Sequence, residues 1–79
     1  MRFVYMSATG PSDPTRASIP LHLAVNGSAE VGHDVDLILA GDAAELILGN
    51  NIETIEGLGL PPLRDLMQKI RDHQIPVYV

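Results

Sequence analysis

The chain has 79 residues, enough for one domain with a modest core. It is 46% hydrophobic but only 4% aromatic, so aliphatic side chains must fill that core, a balance typical of α/β proteins with buried parallel strands. A net charge of −5 with 5 scattered Lys and Arg argues against nucleic acid and anionic membrane as partners, and the lack of cysteine excludes disulfides, thiolate metal sites and cysteine nucleophiles within these residues.

Phe3 to Met6 is a short, apolar, β-leaning run and reads as the first strand. Gly10, Pro11 and Pro14 break it into a loop, and Asp13 before Pro14 is the order of an N-cap followed by proline at the first helical position. The first helix is expected from about Pro14 to Val31, with Ala17, Leu21, Ala24, Val25, Ser28 and Ala29 facing the sheet. Pro20 either bends that helix or moves its start to Ser18; the bent helix is favoured. Gly32 is its stop signal, with His33 and Asp34 in the turn.

Val35 to Ala40 reads as the second strand. Asp36 inside it is expected near solvent or paired, because burying an unpartnered carboxylate is costly. Asp42 and Glu45 form a capping-box pattern for a short helix from Ala43 to about Leu48. Gly49 to Gly59 is expected to be a loop tacked down by Ile52 and Ile55. Pro61-Pro62 opens a third helix with an apolar stripe at Leu63, Leu66, Met67 and Ile70, and Ile75 to Val79 reads as a third strand. Pro76 fits there only near the strand start or on an edge.

This order, β-α-β-α-loop-α-β, predicts a single α/β domain over residues 1–79, a parallel sheet with helices on both faces. A flavodoxin-like strand order would place strand one between strands two and three. Ligands of such sheets sit beyond the carboxyl ends of the strands. The candidate site is therefore Ser7, Thr9, Gly10, Ser12, Asp13 and Arg16 together with Gly41 and Asp42. Backbone amides at the helix start, helped by Arg16, would hold a small anion there; Ser12 and Asp13 serve equally well as plain helix caps. No nucleotide-binding glycine pattern is present, and His22, His33 and His73 share no metal-ligand spacing. No cofactor, metal or catalytic residue is implied. Nothing resembles a signal peptide or an apolar run of 18 residues, so a cytoplasmic protein is expected.

Ser7 to Ala24, with its small polar loop, Asp-Pro, Arg-Ala and in-helix proline, resembles the opening of the DsrE-like (DsrE/TusD sulfur-relay) family. Gly32-His33-Asp34-Val35 with the run Leu37 to Asp42 is similar to that family's second strand and turn, and Gly59 to Leu66 followed by Ile75 to Val79 is similar to its third helix and strand. The resemblance implies a three-layer α/β/α fold, homo-oligomers or complexes with related subunits, and sulfur carried as a cysteine persulfide. It also implies a cysteine after the strand matching Ile75 to Val79 and two further strand–helix units. The chain then reads either as the N-terminal portion of the family fold or as a reduced member without the sulfur acceptor. The two functions left open are a sulfur-relay subunit and a non-catalytic oligomeric module binding a small ligand or anion. Self-association through strand three and helix three, or cover from a longer chain, is expected for the apolar strand edges.

Overall fold

In the computed structural model, which covers residues 1–79, the chain forms β1 (Arg2–Ser7), α1 (Pro14–His22), a π-helical continuation (Leu23–Ala29) and β2 (Asp34–Leu39). A 3-10 helix (Gly41–Ile47), α2 (Asn51–Thr54), α3 (Leu63–Asp72) and β3 (Val77–Tyr78) follow. All strands are parallel: β1 pairs β2 from Arg2↔Asp34 to Ser7↔Leu39, and β2 pairs β3 at Leu37↔Val77 and Ile38↔Tyr78.

α1 begins as the sequence predicts. The Asp13 carboxylate accepts the Arg16 N–H at 3.2 Å, and Pro14 fills the first turn, where a missing N–H costs nothing. Ser18 does not start the helix; it lies inside it, donating its hydroxyl to the Pro14 carbonyl at 2.8 Å. The chain stays helical through Pro20 and widens three residues later, where Glu30 N–H reaches Val25 C=O at 3.2 Å and His33 N–H reaches Ser28 C=O at 3.0 Å. Gly32, at φ +90°, ends the run in the left-handed region that glycine enters at no steric cost.

Two local expectations are corrected. Residues 41–47 form a 3-10 helix whose N-cap is Ala40, and the Asp42 side chain makes no capping bond. The stretch Gly49–Gly59 is not all loop: Asn51–Thr54 makes one helical turn, closed by Ile55 N–H to Asn51 C=O at 3.0 Å. Ile55 is buried and Ile52 half-buried against the core, as the tacking role requires.

The strand order is β1-β2-β3, which overturns the flavodoxin-like order with strand one in the middle. The reason lies in where α3 packs. Leu66 and Ile70 join the same cluster as Leu21 and Val25 of the first helix, and Lys69 ties α3 to Asn26 at 2.6 Å and to Glu30 at 3.2 Å. Helices lying side by side on one face are what two right-handed crossovers give when both step in the same direction, so β3 falls beyond β2.

The same packing replaces the expected three layers by two. One sheet face, with Val35, Leu37, Leu39 and Ser7 buried, meets the helices in a single core that includes Ala17, Leu21, Leu46, Leu63 and Leu66. The opposite face carries Val4 and Met6, each 59% exposed, Tyr78, 55% exposed, and the half-buried Ile38, with nothing packed over them. The apolar stripe of α3 is spent inside this core, so it is not a free surface for association.

Candidate functional site

At the carboxyl edge, β1 and β2 end together: the Ser7 carbonyl accepts Ala40 N–H at 2.9 Å, which sets Ser7 beside Gly41. Ser7 is buried, and its hydroxyl donates to the Ala17 carbonyl at 3.2 Å. Gly10 is buried against Asp42, and a Cβ there would stand 2.6 Å from the Asp42 carbonyl oxygen. Thr9 is half-buried, while Ser12, Gly41 and Asp42 are exposed. Arg16 is exposed and leans on Asp13, Nε to Oδ2 at 3.7 Å. Ser7, Gly10, Gly41 and Asp42 thus come together, but Gly10 and Asp42 close on each other and no cavity opens between them.

The cavity of the molecule lies at the other end of the sheet, with a volume of about 220 Å³. The turns on either side of β2 and β3 build it. His33 and Asp34 come from the turn after the first helix, and His73 to Pro76 from the turn after α3. Arg2 of β1 reaches across, its Nε to Asp36 Oδ2 at 3.0 Å with Nη2 on the same oxygen. Asp36 is therefore paired, as its place inside a strand requires. The hydrogen bond and then the charge of Asp36, with Asp34 adding less, push the Arg2 guanidinium above its already high range. The His33 ring stands edge-on to Phe3 at 5.1 Å.

Glu30 flanks this cavity from the end of the first helix. Its carboxyl is held below the ordinary range, first by the hydrogen bond from Lys69, then by the Lys69 charge, with His73 at 3.8 Å contributing least. No group of three or more His, Asp or Glu is arranged to hold a metal ion. His22 is bonded to Asn26 at 2.9 Å and stands apart from the other two histidines. The cavity lining carries two histidines and two aspartates and no hydroxyl side chain.

Sequence reasoning placed the site at the carboxyl edge and missed His33, Asp34, His73 and Gln74. The usable signal was Pro76: a proline facing the central strand withholds one ladder hydrogen bond and leaves a gap beside it. No helix is long and apolar enough to cross a membrane. The class defined by fold and site is a small two-layer α/β domain with one sheet face uncovered and a polar cavity at the amino edge. No protein family, curated protein or solved structure matches the chain in comparison.

Proposed function

We propose that this chain is a non-catalytic DsrE-like assembly module, whose uncovered sheet face packs on the same face of a second copy. The observation that carries the reading is the apolar face formed by Val4, Met6, Ile38 and Tyr78. The largest apolar patch on a protein surface is often a functional one. The DsrE-like resemblance adds that proteins of this pattern work as oligomers with a third layer over the sheet. A second copy would cover the open face with its own sheet, giving an α/β/β/α assembly in which each sheet has helices on one side and the other copy's sheet on the other. A persulfide needs a cysteine, and residues 1–79 contain none, so the proposed role of these residues is in assembly.

The occupant we propose is a second copy, because the DsrE-like resemblance implies homo-oligomers and the face is apolar on both partners. β1 and β2 contribute six residues each and β3 two, which at about 3.3 Å by 4.8 Å per residue gives a face of roughly 220 Å². A stable interface takes about 800 Å² per partner, so face-to-face pairing of this area is weak and reversible. Sedimentation equilibrium at increasing concentration tests it. Self-association in the micromolar to millimolar range is expected, abolished by Met6→Lys while circular dichroism stays unchanged. A wild-type chain that remains monomeric throughout that range would overturn the reading.

A further inference from the structure

The geometry points to the amino-edge cavity as a binding site for a small α-ammonium amide, meaning an amino-acid amide or the first residue of a peptide. It rests on the hydrogen-bonding ends of the central strand. Along β2 the backbone groups alternate sides: Asp34 N–H turns toward β1 and bonds Met1 C=O at 3.1 Å, whereas Leu37 N–H turns toward β3 and bonds Pro76 C=O at 3.0 Å. Val35, two residues before Leu37, presents its N–H and C=O to that same β3 side.

Neither group finds a strand partner. The residue in register to donate to Val35 C=O is Pro76, which has no N–H. The next carbonyl back, on Gln74, is carried away, because Gln74 takes a left-handed φ of +56° and Ile75 N–H is bound to Ile70 C=O at 3.0 Å. Gln74 and Ile75 are thus held on α3 and off β2, and the chain rejoins β2 only at the Pro76 carbonyl. The gap beside Val35 is the cavity, with Val35 among its lining residues. Buried backbone donors and acceptors are almost always paired, so an adjacent N–H and C=O facing an open cavity hold water in the free protein and offer a ligand that displaces it two ready-made hydrogen bonds.

The partner's chemistry follows from the walls. An amide offers the complementary pair, its C=O to Val35 N–H and its N–H to Val35 C=O. Asp36 is already taken by Arg2, whereas Asp34 feels the Arg2 charge only at longer range and keeps its carboxylate oxygens free to accept from an ammonium group. A cavity of about 220 Å³, open on one side, has room for an amino-acid amide, with any further residues of a peptide running out into solvent. The rim residues Gln74 and His73 add amide and imidazole donors and acceptors at the mouth.

The test is a nuclear magnetic resonance titration of the full chain with alaninamide, with a trialanine amide and with alanine itself. In the free protein the Val35 amide should exchange with solvent faster than the Leu37 amide, although both lie in the central strand. Alaninamide should shift the Val35 resonance saturably and slow its exchange. Alanine should not, since it lacks the amide N–H and brings a second carboxylate toward Asp34. Equal response to the tripeptide assigns the site to peptide N-termini; a response to alaninamide alone assigns it to the free amide. Asp34→Asn should weaken binding about tenfold or more, the loss of one charge-assisted hydrogen bond. Pro76→Ala, which gives Val35 C=O an internal donor, should weaken it with the fold intact. A Val35 amide as protected as Leu37 in the free protein, no saturable shift with either amide, or undiminished binding to Asp34→Asn would each overturn the assignment.

Discussion

Gly10 and Asp42 show how a single residue shapes the carboxyl edge. The backbone of the loop after β1 lies so close to the 3-10 helix that a methyl group at Gly10 would meet the Asp42 carbonyl oxygen at 2.6 Å, inside any real contact distance. The obstacle is backbone, which cannot swing aside as a side chain can. Gly10→Ala is expected to destabilise the fold by about 1–3 kcal/mol, the usual cost of overpacking. The measurement is the urea midpoint, which should fall at unchanged slope. Glu30 gives a second residue-scale expectation. Its carboxyl is lowered in the folded chain, so its contribution is present above the unfolded value of 4.5 and is lost as pH falls through the folded value. Glu30→Gln should therefore be less stable than wild type near pH 7, and the difference should shrink as pH falls below 4.5; a gap that widens on acidification contradicts the pairing with Lys69. Residues whose meaning is local were legible in the sequence. Asp13 as N-cap, Gly32 as helix stop and Asp36 as a paired carboxylate all follow from rules spanning a few positions. The meeting of Gly10 with Asp42, or of Tyr5 with Ser28 at 2.6 Å, depends on how elements dock, which no local rule contains.

At the scale of elements, α3 was the most legible because its apolar residues repeat at helical spacing and all face one way. Leu63, Leu66, Met67 and Ile70 are each buried, and Leu66 is fully so. Leu66→Ala should cost about 2–5 kcal/mol through lost burial and the cavity left behind. Met6→Ala, on the open face, should stay within about 0.5 kcal/mol for the monomer. Chemical denaturation of the two variants at low concentration separates these outcomes, and equal losses would mean that the face of β1 is covered. The π-helical stretch and the 3-10 helix were not legible, since both keep the apolar spacing of an α-helix while changing the hydrogen-bond pattern. Strand order was hidden for a different reason. Handedness permits β3 on either side of β1 and β2, and what decides is the packing of α3 beside the first helix, fixed by Leu66, Ile70 and Lys69 meeting residues more than 35 positions away.

For the whole molecule, the placement of every helix on one face and a net charge of −5 act against each other in association. The apolar residues of the open face favour pairing, while two chains of the same sign repel. Salt screens the repulsion, with a Debye length that falls from about 30 Å at 0.01 M to about 8 Å at 0.15 M, and leaves apolar burial in place. Pairing through Val4, Met6, Ile38 and Tyr78 should accordingly tighten as salt is added, whereas an interface held by opposite charges would loosen. Mass action carries the same effect into stability, because a partner that binds only the folded chain raises the melting temperature with concentration. The expected pattern is a Tm that climbs with protein concentration, climbs more steeply at 0.15 M salt than at 0.01 M, and becomes independent of concentration in Met6→Lys. Differential scanning calorimetry across a hundredfold concentration range reads all three. A Tm independent of concentration in the wild type, or a concentration dependence that weakens with salt, would show that this face does not pair with a second copy.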